Sequence, residues 1–505
     1  MKNRIRIIST SDIHGYVFPY SYVDGSAKNH GLARISTMVK KLRDENTLLI
    51  DNGDILEGSP LTFYHYLRHP EKKCPLTDCL KAMHYDYINI GNHDFNYGSE
   101  TLLKHCEDTG AVLLTNNVFK DGKPIGCEYD IRYLAGKKVA IFGITTHFVP
   151  KWEKPEHIVG LEFEDAFEAC KRTVEKIRKN EAPDYIICVY HGGFENDPDT
   201  GVSLEAASGE NEAYRMVQEI EGIDVIVAGH QHRIYCGKIR NTAYTEPFFE
   251  GTHLSVIDID TETGEIKPQL LETNGESDKA IEAIAYEEEQ ECQKWLDTPL
   301  GYTDMDLRVK DEFDARFHKS QLATFINNVQ KEITGSDLSS SAIFLRATGF
   351  YHEITMRDLI STYIFPNTLV VKRMNGKVLR QYLEFNMHFW SMKDGKIIIN
   401  PLYDFPNPQH HNYDMIDGIE YVADISRPEG ERIISLTRNG KPVEDDDEFT
   451  ISLNNYRASG GGNFDMVLNS ETVKEYQSSL VDLLANYILE KKNISFPEVH
   501  NIEIR

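Results

Sequence analysis

The chain has no apolar run long enough to cross a bilayer and carries few basic side chains. A membrane-spanning helix needs about 18 consecutive apolar residues, and no such run occurs among the 505 residues. Lysine and arginine number 54 against 80 aspartates and glutamates, which gives a formal net charge of -26. Long nucleic acids are bound through clustered basic side chains. We therefore expect no membrane and no long nucleic acid as a partner, although one local cationic site can still hold a small nucleotide.

The sequence also lacks the usual marks of an exported protein. Its eight cysteines are scattered and form no CxxC pair, which fits reduced thiols better than a disulfide framework. The first ten residues enter an alternating strand without the long apolar core of an export signal. We therefore predict a cytoplasmic protein, although a signal that had been removed would leave no trace here.

The first half of the chain alternates short strands with helices, and the second half mixes both as an α+β domain. The strands are rich in valine and isoleucine and lead into polar turns, as central strands of an α/β sheet do. At this length two domains are expected. We predict domains at 1–276 and 301–505, joined by a polar linker helix at 277–300. The strand candidates of the first half are 5–9, 47–50, 87–90, 112–114, 138–144, 185–190, 224–228 and 254–259.

Clusters of aspartate, histidine and asparagine follow these strands. In open α/β sheets, ligands bind at the carboxyl ends of the strands. Mixed nitrogen and oxygen donors suit Mn, Fe, Zn or Co better than Ca, which prefers oxygen throughout. Two such ions about 3.5–4 Å apart can activate a water and neutralise phosphate oxygens. The pattern therefore predicts two-metal hydrolysis of a phosphate ester, with these candidate ligands: Asp12, His14, Asp54, Asn92, His191, His230 and His232.

In their order along the chain, the clusters resemble the motifs of calcineurin-like metallophosphoesterases. The matching segments are 12–14, 53–54, 91–94, 191–193 and 229–232. The resemblance implies an N-terminal metallophosphoesterase β-sandwich flanked by helices. It assigns one ion to Asp12, His14, Asp54 and His232, and the other to Asp54, Asn92, His191 and His230. His93 would be the cation or general acid beside the reacting phosphoryl group, since an imidazolium can donate a proton to a leaving oxygen.

The resemblance extends over nearly the whole chain and narrows to the 5′-nucleotidase family, which has a C-terminal nucleotide-binding domain. Segments 52–60, 91–98 and 454–462 are most similar to the bacterial 2′,3′-cyclic-nucleotide 2′-phosphodiesterase/3′-nucleotidase branch. In the 5′-nucleotidase branch a His–Asp dyad is usual, whereas this chain has Asn96 at the Asp position. Asn92, His93 and Asn96 are thus the catalytic candidates, and we expect 2′,3′-cyclic nucleotides and 3′-nucleotides as substrates.

Two polar loops of the second half contain candidate substrate contacts. Tyr413 lies in an Asn- and Asp-rich turn, and Tyr456 lies before three consecutive glycines. By resemblance these two rings would stack on the base, and stacking contributes about 1–3 kcal/mol per base. Asn454 is a weaker candidate for reading the base edge, and Arg346 and Arg457 for contacting sugar or phosphate.

Two alternatives to this function are left open by the sequence. One is a 5′-nucleotidase or nucleotide-sugar hydrolase on the same scaffold. The other belongs to a different class, a non-catalytic nucleotide-binding sensor, although a sensor has no need of seven metal-binding side chains. The identity of the metal, the base preference and the oligomeric state are not fixed by these residues.

Overall fold

The computed structural model describes residues 3–203, 209–363, 365, 367–404 and 408–505. The chain forms two compact units, Met1–Cys292 and Gln293–Arg505. Across the described ranges, no helix combines the length and apolar character that a bilayer crossing demands.

Two six-stranded sheets form the framework of the first unit. Their strand orders are β15-β14-β1-β2-β3-β4 and β12-β13-β11-β10-β8-β7, and β6-β5-β9 forms a small third sheet. Strands β1 and β2 are parallel neighbours, and so are β8, β10 and β11, so their carboxyl ends meet at one edge of each sheet. The strands are β1 Arg4–Thr10, β2 Thr47–Asp51, β3 Tyr87–Ile88, β4 Val112–Leu113, β5 Val118–Lys120, β6 Lys123–Pro124, β7 Asp130–Leu134, β8 Lys137–Thr145, β9 Leu161–Phe163, β10 Tyr185–His191, β11 Val225–Val227, β12 Ile234–Ile239, β13 Thr242–Pro247, β14 His253–Asp260 and β15 Ile266–Glu272.

Eight α-helices begin in the described part of this unit. The last of them, α8, continues past the boundary after residue 292 and covers most of the predicted linker, whose limits at 277 and 300 stay a prediction. The helices are α1 Leu32–Leu42, α2 Pro60–Arg68, α3 Pro75–Met83, α4 Ser99–Thr109, α5 Val149–Trp152, α6 Ala166–Asn180, α7 Ala213–Glu219 and α8 Lys279–Leu296.

The alternation of side chains along the strands builds two hydrophobic cores. Ile187 and Val189 of β10 pack with residues of β1, β2 and β14 in the core between the two large sheets. Cys188 and Tyr190 point to the opposite face, where they pack against α6 and α7. This arrangement confirms the predicted sandwich flanked by helices, because a strand covered on both faces is apolar throughout.

The second unit is α+β, as predicted. Its sheets have the orders β22-β17-β26-β19-β27, β25-β24-β23-β29, β18-β16-β28 and β20-β21. The strands are β16 Pro299–Thr303, β17 Leu338–Ser341, β18 His352–Thr355, β19 Thr368–Asn375, β20 Trp390–Lys393, β21 Lys396–Ile399, β22 Met415–Asp417, β23 Glu420–Ala423, β24 Ile433–Arg438, β25 Lys441–Pro442, β26 Glu448–Asn454, β27 Glu471–Ser479, β28 Asn493–Ile494 and β29 Ile502–Ile504. The helices are α9 Glu312–Phe317, α10 Gln321–Thr334, α11 Met356–Thr362, α12 Gly376–Asn386, α13 Pro401–Asp404, α14 Asn455–Ala458, α15 Asp465–Leu468 and α16 Leu480–Lys491.

Each of the eight strands predicted in the first half is present, with ends that differ by up to two residues. Helix α6 has one apolar face, whose residues Phe167, Cys170, Val174 and Ile177 recur at helical spacing and are buried. Strands β7, β12, β13 and β15 were not among the predicted ones. Each pairs antiparallel with a neighbour, and polar residues interrupt the apolar pattern in all four.

Candidate metal centre

The predicted ligands lie just beyond the carboxyl ends of neighbouring strands. Asp12 follows β1, and Asp54 follows β2, its parallel neighbour. In the other sheet His191 is the last residue of β10, and His230 follows β11. The fold therefore brings side chains that are far apart in sequence to a common edge.

Five of the candidate ligands have a backbone in the left-handed region, which residues other than glycine rarely adopt. Each such residue costs on the order of 1–3 kcal/mol, and such residues cluster at functional sites. Backbone hydrogen bonds hold two of the turns: Asp12 N–H donates to Gly53 O, and His14 N–H donates to Asp54 O, each at 2.9 Å. The fold thus fixes the directions in which these side chains offer their metal-coordinating atoms. The φ angles are 54° at Asp12, 49° at His14, 55° at Asp54, 71° at His230 and 52° at His232.

Asp12, His14 and His232 form the first group, in which one donor atom from each residue lies within 4.8 Å of the others. His232 Nε2 is 3.0 Å from His14 Nε2 and 3.4 Å from Asp12 Oδ1. His14 Nδ1 donates to the backbone carbonyl of Glu57 at 2.8 Å. Since a carbonyl only accepts, the Nε2 lone pair of neutral His14 points toward His232.

Asp54, His191 and His230 form the second group, with the same spacing of donor atoms. His191 Nε2 is 3.3 Å from Asp54 Oδ2 and 3.2 Å from Asn92 Oδ1. His230 Nδ1 is 2.8 Å from the same Asn92 oxygen. His191 Nδ1 donates to the backbone carbonyl of Asn52 at 2.7 Å. The side-chain oxygen of Asn92 therefore lies within hydrogen-bond distance of both histidines of this group.

The orientation of these imidazoles fits a bound cation. Because its Nδ1 proton goes to a carbonyl, neutral His191 turns the Nε2 lone pair toward the Asp54 carboxylate, which also offers only lone pairs. Such a contact requires a positive charge between the two atoms. Burial lowers the pKa of His191, but Asp54 and Asp12 raise it to about 10, so a proton on Nε2 supplies the charge that this contact demands when no ion is bound. A divalent ion with mixed nitrogen and oxygen ligands meets that demand.

Position 91 must be glycine because the side chains of two candidate ligands approach its backbone closely. A Cβ atom at Gly91 would collide with the side chains of Asp54 and His191. Gly91 also donates its N–H to Asp94 at 2.9 Å. A larger residue would therefore displace members of the second group.

His93 lies beside the two groups. Its backbone N–H donates to Asp54 Oδ1 at 2.7 Å, and its ring centroid is 5.6 Å from that of His14. Its Nδ1 is 2.9 Å from Asn96 Oδ1 and 3.5 Å from Glu57 Oε2. Burial lowers the pKa of His93, but Asp54 and Glu57 raise it to about 9. A protonated imidazole in this position can act as a general acid.

Asp94 ties two of the ligand loops together, a role that the sequence analysis missed. Its Oδ2 accepts hydrogen bonds from the N–H groups of Asp54 and Gly91, each at 2.9 Å. Its Oδ1 accepts from Ile55 at 2.9 Å and from Leu56 at 3.1 Å. One buried carboxylate thereby satisfies four amides. The available signal was an acidic residue directly after the histidine of the 91–94 motif.

Two further carboxylates contact the site and were not identified from the sequence. Burial raises the pKa of Glu57, whose Oε2 lies 3.5 Å from His93 Nδ1, to about 7. Glu210 Oε1 is 3.0 Å from His230 Nε2, which leaves Nδ1 of that ring facing Asn92. Such outer partners orient metal-binding histidines. No local sequence pattern marks either glutamate.

A third group of potential ligands, His147, Asp165 and Glu212, has hydrogen bonds that oppose a cation. Ala166 N–H donates to His147 Nδ1 at 3.2 Å, so the proton of the neutral ring is on Nε2, which faces Asp165 at 3.7 Å. Glu212 is paired with Arg215 at 3.1 Å. We interpret this group as part of the structure around the beginning of α6.

The position of Tyr413 in the second unit disagrees with the prediction that its ring stacks on a base. Tyr413 is completely buried. Its ring stacks on Phe389 with centroids 4.9 Å apart and meets Trp390 edge-on at 5.3 Å. These contacts make the ring part of a hydrophobic cluster in this structure.

Arg457 is also placed differently from the prediction. Its side chain is 2% exposed, and its Nε donates to Asp414 Oδ2 at 2.6 Å. The guanidinium carbon lies 3.7 Å from the centroid of the Phe464 ring. Arg457 therefore joins the segment before β22 to the loop after α14, and its buried position disagrees with direct substrate contact.

The other predicted substrate contacts are more accessible. Tyr456 is half-buried, and its hydroxyl donates to Asn412 Oδ1 at 3.3 Å. Asn454 Oδ1 accepts from Arg457 N–H at 2.8 Å and caps α14. Arg346 is exposed, and its backbone N–H donates to a glutamate of α9. Their roles toward substrate stay predictions.

Two families match the chain, one in each half. Residues 5–233 match the calcineurin-like phosphoesterase family, and residues 299–469 match the 5′-nucleotidase C-terminal domain. A solved structure from Staphylococcus aureus, assigned as a 5′-nucleotidase and bound to α-ketoglutarate, is 30% identical to the chain. Its TM-score is 0.93, with 99% of both chains covered.

Curated relatives carry three kinds of name. A Haemophilus influenzae 2′,3′-cyclic-nucleotide 2′-phosphodiesterase/3′-nucleotidase is 26% identical over 90% of this chain and 80% of its own length. A human 5′-nucleotidase is 23% identical over 98% of this chain and 90% of its own length. A Bacillus subtilis trifunctional nucleotide phosphoesterase is 25% identical over 98% of this chain, which spans only 38% of that protein.

Proposed function

Since the chain belongs to the 5′-nucleotidase family of calcineurin-like metallophosphoesterases, we propose that it hydrolyses nucleoside 2′,3′-cyclic phosphates and 3′-nucleotides. The observation that carries the proposal is the pair of donor groups, in which His191 Nε2 faces the Asp54 carboxylate at 3.3 Å. The choice of substrate rests on the relatives named for this activity and on Asn96 at the position of the dyad aspartate.

Two divalent ions would be held by the two groups. Asp12, His14 and His232 would bind one ion, and Asp54 would contribute to both. His191, His230 and Asn92 would complete the second. Ions bound in this way supply Lewis-acid stabilisation of the phosphate oxygens and lower the pKa of a water. Mn, Zn, Fe and Co all fit donors of this kind.

His93 would donate the proton to the leaving oxygen. In a cyclic phosphate, a water oxygen bonds to phosphorus and releases one proton to solvent, the bond from phosphorus to O2′ breaks, and O2′ takes the proton from the imidazolium. The imidazole then regains a proton from solvent. The product is a 3′-nucleotide. In the second reaction the bond to O3′ breaks in the same way and gives a nucleoside and phosphate. General acid catalysis of this kind contributes about 10²–10⁴-fold.

Recognition of the base would involve the second unit. Tyr456 is the remaining candidate for stacking, since its ring is half-buried and lies beside the 460–462 glycines. A Cβ atom at Gly461 would collide with the Tyr456 ring. The absence of a side chain there lets the ring lie close to the loop. Asn454 and Arg346 would provide weaker polar contacts.

A substrate panel tests the proposal. The protein, stripped with chelator and reloaded separately with Mn, Zn or Co, is assayed with 2′,3′-cAMP, 3′-AMP, AMP and UDP-glucose. We expect the first two to be turned over with the highest kcat/KM, about two metal ions per chain, and a loss of about 100-fold or more in His93→Ala. Higher kcat/KM for AMP would contradict the proposed specificity, and turnover without metal would contradict the mechanism.

A 5′-nucleotidase is the second candidate function. It is favoured by the relatives of that name, which extend over most of the chain, and the same panel distinguishes it through AMP. A non-catalytic sensor is not favoured, because the complete ligand arrangement serves no purpose in a sensor. The cytoplasmic location stays a prediction, and cell fractionation with a periplasmic marker would test it.

A further inference from the structure

The amide of Asn96 lies between His93 and a buried carboxylate. Asn96 Oδ1 is 2.9 Å from His93 Nδ1, and Asn96 Nδ2 donates to Glu153 Oε2 at 2.6 Å. A carboxylate only accepts hydrogen bonds, so the NH₂ end of the amide must face Glu153. The carbonyl end then faces His93, and a carbonyl also only accepts. This chain of contacts places a proton on Nδ1 of His93.

Glu153 is held in this position by its own contacts. Its side chain is 5% exposed, at the end of α5. Its Oε1 accepts from Lys154 N–H at 2.7 Å and from His157 Nδ1 at 2.8 Å. These bonds use one carboxylate oxygen and leave Oε2 for Asn96. If the amide were rotated by 180°, its oxygen would face the Glu153 carboxylate oxygen, so that two acceptors would meet. Its NH₂ group would then face the Nδ1 proton of His93, so that two donors would meet.

We propose that Glu153 is a positioning residue that fixes the Asn96 amide and, through it, the tautomer and orientation of His93. With Nδ1 protonated, Nε2 is the nitrogen that gives and recovers the catalytic proton. In a His–Asp dyad the carboxylate contacts the imidazole directly. Here the carboxylate of Glu153 is separated from His93 by the amide of Asn96. The inference rests on the proposed role of His93 as proton donor.

Four proteins test this arrangement: the wild type, Glu153→Gln, Asn96→Asp, and the double variant. Asn96→Asp places two carboxylates where a 2.6 Å hydrogen bond existed, and we expect its kcat for 3′-AMP to fall at least about tenfold. In the double variant the glutamine amide can donate to the new aspartate, so we expect most of the activity to return. Glu153→Gln alone can orient its amide either way and should lose several-fold in kcat with little change in KM.

The dependence on the leaving group separates positioning from a general structural role. p-Nitrophenolate leaves without a proton, whereas the ribose oxygen of 3′-AMP needs one. The variants should therefore lose more activity on 3′-AMP than on p-nitrophenyl phosphate. Glu156→Gln, an exposed change of the same charge in the same loop, serves as the matched control and should behave as the wild type. Metal content and melting temperature are measured for every protein.

Three outcomes would overturn the inference: full activity of Asn96→Asp, a double variant no better than that single variant, or equal losses on both substrates. Failure of the proposed function has a different signature. If the wild type hydrolyses p-nitrophenyl phosphate and AMP but not 3′-AMP, the substrate assignment fails, and the four proteins are then compared on AMP. If His93→Ala retains wild-type activity on every ester, the proton-donor role fails first.

Discussion

Replacement of Asp94 by asparagine is expected to loosen the loop that follows β2. In the native protein its two oxygens accept four backbone hydrogen bonds. Asparagine retains one oxygen and turns an NH₂ group toward two of the donors. Two hydrogen bonds to a charged group are lost, at about 1.5–3 kcal/mol each. Removal of a buried charge offsets part of this cost, and we expect a net local loss of about 2–4 kcal/mol.

Hydrogen exchange followed by mass spectrometry measures this effect directly. The amides of Asp54, Ile55 and Leu56, together with that of Gly91, are the donors involved. A loss of 2 kcal/mol corresponds to exchange about 30-fold faster, since each 1.4 kcal/mol is a factor of about ten. We expect the increase in the peptides that contain residues 54–56 or 91, together with a lower kcat because Asp54 is displaced.

The control for Asp94→Asn is Glu100→Gln, an exposed loss of one negative charge on α4, which should leave exchange and activity unchanged. Unchanged exchange of residues 54–56 and 91 in Asp94→Asn, whatever happens to activity, would refute the reasoning, because the amides would then not depend on this carboxylate.

Three other predictions concern separate parts of the molecule. Asp54→Asn should weaken metal binding by more than about 100-fold, the upper loss typical of outer partners alone, and calorimetric titration with Mn or Zn measures it; native affinity would exclude a shared ligand. Tyr456→Ala should raise KM about 5- to 100-fold with kcat nearly unchanged, since stacking contributes about 1–3 kcal/mol; an unaltered KM in steady-state assays argues against stacking. Burial lowers the pKa of His105 from 6.5 to about 4, so the folded protein holds it neutral and its stabilising contribution, complete above pH 6.5, is lost as the pH falls toward 4. Urea unfolding of His105→Gln should show a free energy that depends less on pH across this window, by up to about 1.4 kcal/mol per pH unit, and an identical slope would contradict the role of burial.

The grouping of the candidate ligands was predictable because each of them follows a recognisable strand within a short motif. Asp12 and His14 are two residues apart, and so are His230 and His232. Glu153 had no such signal, because its contact with Asn96 joins positions 57 residues apart. Long-range pairs of this kind depend on tertiary packing, which local patterns do not encode.

Among the aromatic and basic residues of the second half, a local sequence signal was present, but it suggested exposure for side chains that are buried. Tyr413 lies among polar neighbours in sequence, which suggested an exposed loop, but Phe389 and Trp390 from an earlier segment cover it. Arg457 likewise follows a loop signal, and its partner Asp414 lies 43 positions earlier. Composition indicates the polarity of a segment, and the packing partners decide which of its side chains meet solvent.

The left-handed turns at Asp12, His14, Asp54, His230 and His232 have a consequence for how the enzyme would acquire metal ions. Because backbone hydrogen bonds hold the turns at Asp12 and His14, we expect the cation-binding groups to take their shape during folding, before any cation binds. Loading should then be rapid and should involve little reorganisation of the chain. Substitution of any of these five by a β-branched residue would distort the backbone of the cation-binding groups, even where the new side chain could still coordinate a metal ion.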